Sequence, residues 1–303
     1  MTPRDPAVGT RQSATGAIYD LGYRGYDGAR LGRRAAVATL FWWSLRAAYG
    51  LKRSGRAKIV PWGIAALLLA PAGVSVAVAA LAPRAPTPFS YDNFLWNTQI
   101  LLAIFVAAQA PELVSSDQRN HVLSLYFSHA LERADYALAK LGALTAAVFG
   151  LALAPMLVLF IGRILLAADV VKAFGDEINR LPEVIGTPLI YAIPLAALSL
   201  AIAAYTPRRA YATGAIIAVF IVGAAIAGIM GNALSAGPLK EASQLVNPIV
   251  PLDGTRTLLF GGYIADSPVQ GMNYPLWVFG AEWLAISVMA SGVVWWRYRR
   301  VAA

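Results

Sequence analysis

Cysteine is absent, histidine occurs only at positions 121 and 129, and charged side chains make up just 14% of 303 residues. Without cysteine the chain makes no disulfide, binds no iron–sulfur cluster or thiolate-held metal, and uses no thiol nucleophile. His121 and His129 lie eight residues apart, too far for one helical turn to bring both onto a metal. A soluble domain carries about 25% charged residues. With 58% hydrophobic residues and a mean hydropathy of +0.58, this chain has too little polar side chain to coat a globule in water. The phosphate-binding G-x-x-x-x-G-K-[ST] loop is missing, so the chain has no P-loop ATP site of its own. The G-x-S-x-G, H-E-x-x-H and G-x-G-x-x-G patterns are missing too.

What is present is a series of long apolar runs. A membrane-crossing helix needs about 20 mostly apolar residues. Six segments meet that length: Ile59–Leu81, Phe94–Leu113, Tyr136–Leu166, Thr187–Tyr205, Ala212–Leu234 and Pro275–Trp296. The third exceeds what a bilayer needs and is expected to tilt or to project into water. The first 35 residues are polar, with no short apolar stretch of the signal-peptide kind. Lys and Arg set the orientation. Nineteen of the 25 fall on the side of the N-terminus, which predicts a multi-pass protein with both termini cytoplasmic. The net charge of +9 is therefore dispersed between apolar runs rather than gathered on one soluble face, and no nucleic-acid partner is expected.

Residues 1–36 read as a cytoplasmic tail, 37–58 as an interfacial elbow helix with its connector, and 59–303 as the transmembrane domain. In the elbow, about Val37–Arg53, Val37, Leu40, Phe41, Ser44, Leu45, Ala48 and Leu51 share one helical face. Arg46 and Arg53 point the opposite way, and Trp42 and Tyr49 flank the boundary. This is the pattern of a helix lying along the inner leaflet. A helix packed on another protein is the other reading. On the opposite side, the adjacent Asp176 and Glu177, followed by Arg180 and Glu183, read as a solvated helical face with i,i+4 pairing rather than as acid–base machinery.

The inside loop at 115–135 carries the most information. Val122, Leu125, Tyr126 and His129 fall on one stripe, with charges at both ends. A short amphipathic helix held between two spans is a lever through which a soluble partner can push on the membrane domain. The run resembles the coupling segment of ABC type-2 permeases, the membrane halves of type V ABC exporters. The matching residues are Asp117 and Arg119, the leucine-rich Leu123–Phe127, and Glu132-Arg133-x-x-Tyr136-x-x-x-Lys140. Asn120-His121-Val122 stands where the family has Gly-Thr, and Ala130 where it has proline. Tyr19-Asp20-Leu21-Gly22-Tyr23-Arg24-x-Tyr26-Asp27-Gly28 is similar to the tails of actinobacterial members.

The resemblance implies an all-α polytopic fold: elbow helix, six spans, a coupling helix inside and re-entrant helices in the last outer loop. That loop, 234–274, is long and proline-punctuated but keeps the apolar pieces Ala242–Val246, Ile249–Leu252 and Leu258–Tyr263. The resemblance also implies a permease subunit in a bacterial cytoplasmic membrane. It would have no catalytic, metal or cofactor site, Mg-ATP being bound by two copies of a partner ATPase. Asp117, Arg119, His121, Leu125, Tyr126, Glu132 and Arg133 would couple to that ATPase. A second permease copy or a homologue completes the pore for a lipophilic or amphipathic substrate. The alternative is a non-transporting permease that passes force to an extracytoplasmic accessory protein.

Within the spans, Gly223, Ala224, Ala227, Gly228 and Gly231 form small-x-x-x-small pairs, suited either to a dimer seam or to packing inside one chain. Asn97, Gln99 and Gln109 are candidates for a cavity lining or for interhelical hydrogen bonds. Pro155 and Pro194 are expected to kink spans three and four. Arg163 and Glu282 lie in the same outer third. They read either as a structural ion pair or, for Glu282, as a contact to cargo or to an outer helix.

Overall fold

A computed structural model describes residues 32–51, 54–127, 131–235, 237–264 and 267–300. The tail pattern Tyr19–Gly28 and residues Lys52, Arg53 and His129 lie outside that description. Among the described residues the protein is all-helical. The helices are α1 (Arg33–Ala48), α2 (Gly55–Leu81), α3 (Tyr91–Arg119), α4 (Leu123–Phe127), α5 (Arg133–Leu166), α6 (Val170–Glu177) and α7 (Leu181–Tyr205). They continue as α8 (Arg209–Ala233), α9 (Pro238–Gln244), α10 (Val250–Phe260) and α11 (Trp277–Arg299). One-turn 3₁₀ segments occupy Ile178–Arg180 and Pro268–Gly271. Six helices, α2, α3, α5, α7 with its α6 extension, α8 and α11, are long and apolar enough to cross a membrane.

Each predicted span is present, and five helices begin ahead of the apolar run that announced them. For α3 and α5 the reason is local capping. Ser90 caps α3, which starts three residues before Phe94, the Ser90 backbone N–H donating to Asn93 Oδ1 at 2.8 Å. Glu132 starts α5 in the same way through Asp135 Oδ2 at 3.1 Å. Such a cap satisfies amides that the first turn leaves open, so the helix extends into polar sequence. α3 likewise runs past Leu113 to Arg119 before His121 turns left-handed at φ 54°. Pro155 and Pro194 lie inside continuous helices.

The bundle is layered by composition. α3, α5 and α7 form the buried centre, and α2, α8 and α11 stand around them. Two-sided burial needs small and apolar residues all round. α7 meets that need with Ala192, Ala196, Ala197, Ala203 and Ala204, all fully buried. The peripheral helices keep Ile59, Trp62, Leu67, Ile221, Ile229, Leu284, Val288 and Met289 exposed, a surface suited to lipid rather than to water. Glycine allows two close crossings: a Cβ at Gly162 would collide with Val76 of α2, and one at Gly254 with the ring of Phe279.

The chain direction gives the bundle two ends. One gathers Arg119, Arg133, Arg209 and Arg299 and is called the basic end. The other, the loop end, carries α6, α9 and α10. α1 occupies the elbow region. It covers Arg33–Ala48, within the expected Val37–Arg53 region and beyond its start, and its apolar face packs on the chain's own bundle. Leu40, Ser44 and Ala48 are buried there, Phe41 lies against Gly142, and Tyr49 donates to the Ala147 carbonyl at 2.7 Å. Burial pushes the Tyr49 phenol up to about 12. Trp42 and Trp43, with Arg46, form the exposed side.

Candidate functional site

The segment 115–135 is held from several sides at the basic end. Asp117 turns inward: Tyr136 donates to its Oδ2 at 2.8 Å, and Lys140 Nζ, buried, pairs with the same atom at 2.8 Å. Gln118 Nε2 donates to the Ala204 carbonyl and to the Tyr298 hydroxyl at 2.9 and 2.8 Å. Ser115 donates to the Thr206 carbonyl at 2.7 Å. At the far side of the loop, Arg33 of α1 binds Glu132 and also grips Asp135 at 2.7 and 2.9 Å. That contact with Asp135 raises the Arg33 guanidinium's already high pKa. Arg133 reaches the Arg299 carbonyl at 3.3 Å. One short connection is thus tied to α1, α5, α7 and α11 together.

α4 itself is five residues long and packs by Leu123, which is buried, rather than by Leu125. Leu125 points outward at 62% exposure, beside exposed Arg119, His121 and Ser124. Tyr126 and Phe127 lean on Tyr136, with ring centroids 5.8 and 6.1 Å away. Burial, and secondarily Asp117, raise the Tyr126 phenol. Of the residues singled out in this loop, the structure therefore turns Asp117 into the bundle and leaves Arg119, His121 and Leu125 on the surface. Glu132 is exposed and latched to α1. The lever has a fixed root and an exposed tip.

The expected pairing of Arg163 with Glu282 is not made. Arg163 instead stacks 4.5 Å over the Tyr91 ring and lies 3.8 Å from Glu177, whose other oxygen accepts from Tyr91 at 3.0 Å. Glu177 is thus a partner in an interhelical cluster and not a solvated face residue. The expected i,i+4 pairing there is i,i+3, Arg180 to Glu183 at 3.4 Å. Glu282 is half-buried with one carboxylate oxygen accepting no hydrogen bond. Asn97 is exposed and bonds back to the Asn93 carbonyl at 2.8 Å, whereas Gln109 is buried. Gln99 is half-buried, its Oε1 without a hydrogen bond.

The small-residue stripe of α8 divides between its two readings. Gly223 and Gly231 receive the loop that follows α8. A Cβ at Gly223 would press on Pro248 and the Val246 carbonyl, and one at Gly231 on Gln244. Gln244 donates to the Ala227 carbonyl at 2.8 Å. Ala224 and Gly228, on the neighbouring face, are exposed.

A second cluster, at the loop end, escaped the sequence reading. Arg256 of α10 is 1% exposed. Its Nε donates to Asp253 at 3.2 Å, its Nη2 to the Gly262 carbonyl at 2.8 Å, and its Nη1 to the Gly261 carbonyl at 3.3 Å. The Gly261–Gly262 pair can present both carbonyls because each residue adopts positive φ, 75° and 68°. Glu183 of α7 and Asp92 of α3 approach the same Nη1 at 3.5 and 3.7 Å. Ser267 donates to the other oxygen of Asp253. A cavity of about 450 Å³ opens beside this cluster, lined by Asp92, Glu183, Arg180 and the Gly261–Gly262 turn. The one signal in the sequence was a run of charges, Asp253 and Arg256, inside an otherwise apolar loop piece.

No family model matches the chain, and no curated protein matches it.

Proposed function

We propose that the chain is the membrane subunit of an ATP-driven exporter of the ABC type-2 kind, moved by a separate ATPase that docks on 119–127 at the basic end. The observation that carries this reading is the contrast inside one loop. Asp117, Gln118, Glu132 and Asp135 are tied by hydrogen bonds and ion pairs to other helices, while Arg119 and His121 stay exposed on the short piece between them. A surface that is exposed yet rooted in four helices transmits displacement, because packed helices move as bodies rather than deform. Nucleotide binding at the partner would then bias a two-state pore, the only way a remote ligand can do work on it. The basic end would be cytoplasmic, as its arginines favour.

The full chain, affinity-purified from its native membranes, is expected to carry ATPase activity. A photo-crosslinking residue at Leu125 should label the subunit that holds the nucleotide. Arg119→Glu with Leu125→Glu, both at exposed positions, should remove that activity from the purified material and leave the yield of folded chain unchanged. Preparations without nucleotide hydrolysis, or a double variant that keeps it in full, would overturn the assignment.

A further inference from the structure

We propose that the loop-end cavity beside Arg256 binds a primary ammonium group, with Glu183 at its floor and Asp92 at its mouth. Charge is the first reason. Arg256, Asp253 and Glu183 are all buried, and across the cluster three carboxylates, those of Asp92, Glu183 and Asp253, face two guanidiniums, those of Arg256 and Arg180, so one negative charge is left over. At the mouth Arg180, 53% exposed, pairs with Glu183 at 3.4 Å, and Asp92, 40% exposed, lies 3.7 Å from Arg256 Nη1. Among the described residues no other Lys or Arg lines the cavity. An excess charge at a helix end packed among apolar spans calls for a counter-charge.

Unused hydrogen-bonding capacity is the second reason, and it is independent of the first. Glu183 is 4% exposed, and its Oε1 accepts no hydrogen bond although Arg256 stands at ion-pair distance. Thr187 and Tyr191 follow at i+4 and i+8 on α7, and their buried hydroxyls have no partner either. Polar atoms left bare at such depth are unfavourable unless something supplies a partner.

The cavity also discriminates between cations. Its volume of about 450 Å³ is that of a site for a small organic molecule, larger than a bare ion requires. Among the described residues no group of three His, Asp or Glu side chains is placed to hold a metal. Phe260 and Pro182 supply an apolar wall. The carboxylates of Asp92 and Glu183 are acceptors, and an –NH₃⁺ group brings three donors to them. An aminophospholipid headgroup and a free alkylamine share this chemistry. The inference is independent of the ATPase reading and is tested on the chain alone.

The full chain in phosphatidylcholine nanodiscs is titrated with ethanolamine and, separately, with choline, and its thermal unfolding midpoint is followed. Nanodiscs containing phosphatidylethanolamine form a second arm. Ethanolamine, phosphatidylethanolamine or both should raise the midpoint, and choline should not, since a quaternary amine has no N–H to donate. Stabilisation by phosphatidylethanolamine alone identifies the headgroup as the source, and stabilisation by ethanolamine a free amine. Asp92→Asn, at the exposed mouth, and Glu183→Gln should each weaken binding by about tenfold or more, the scale of one charge-assisted hydrogen bond. The contrast between ethanolamine and choline needs no variant, so it decides the matter even if Glu183→Gln folds poorly. Equal effects of the two amines, no effect of any amine, or stabilisation unchanged in Asp92→Asn would each overturn the proposal.

Discussion

Arg256 shows how a single side chain can fix a loop. Its guanidinium joins α10 to the Gly261–Gly262 turn, to α7 through Glu183 and to α3 through Asp92, with every nitrogen engaged. Removing one member of a buried, hydrogen-bonded charge group leaves the others unpaired and costs about 3–5 kcal/mol. Arg256→Met is therefore expected to lower the unfolding midpoint sharply. Asp92→Asn, partly exposed, should change stability by less than about 1 kcal/mol. Both are read from thermal unfolding in the same nanodiscs. Tyr49 gives a pH prediction. Its phenol is raised from 10.0 to about 12 by burial, so the fold favours the neutral form. Its contribution is complete below pH 10 and is lost as pH climbs toward about 12, because only the unfolded chain ionises easily in that window. Tyr49→Phe should flatten the fall in unfolding midpoint across that interval, and an unchanged slope would refute the burial argument.

Among the elements, α8 and α1 both turned on which face meets what. Periodicity placed five small residues along α8, and it cannot say whether the neighbour is another chain or the same one. The structure assigns Gly223, Ala227 and Gly231 to the chain's own loop and leaves Ala224 and Gly228 outward. Gly223→Val should cost about 1–3 kcal/mol, as overpacking does. Ala224→Val, one position on, should stay within about 0.5 kcal/mol. Folded yield and unfolding midpoint in detergent measure the difference. A larger loss from Ala224→Val would mean that a second copy covers that face. In α1 the apolar stripe was legible, but a stripe is equally suited to a leaflet and to a neighbouring helix. α5 supplied the neighbour, and Gly142 and Gly150 leave room there for Phe41 and Tyr49.

The whole molecule has two chemically distinct ends, and the absence of cysteine makes their sides open to direct measurement. Single cysteines at Thr87 and Leu239, exposed at the loop end, should react with an impermeant thiol reagent on intact cells. A cysteine at the exposed Ser54, at the basic end, should react only after the membrane is opened. Ser243, although in the outer loop by sequence, is buried with its hydroxyl on the Lys240 carbonyl and would be a poor reporter. Labelling of Ser54 from outside, with protection of Thr87, would invert the molecule and remove the basis for a cytoplasmic motor at Leu125.

The sequence by itself determined the all-helical class, the six apolar helices and their order, since each follows from local composition and from the length that a bilayer demands. It also marked 115–135 as distinct, because charges at fixed spacing stood out against the apolar runs. The tertiary structure decided which of those charges face inward. Asp117 and Lys140 are 23 positions apart and meet only because α3 and α5 pack side by side. It decided that Arg163 answers Glu177 and Tyr91 rather than Glu282, since depth along the bundle does not fix the direction a side chain takes around its helix. The Arg256 cluster draws on α3, α7 and α10, more than 160 residues of chain. No local pattern brings Asp92, Glu183 and Asp253 together. Only the packing of the loop helices against the bundle does, and the chemistry of the loop end arises from that contact.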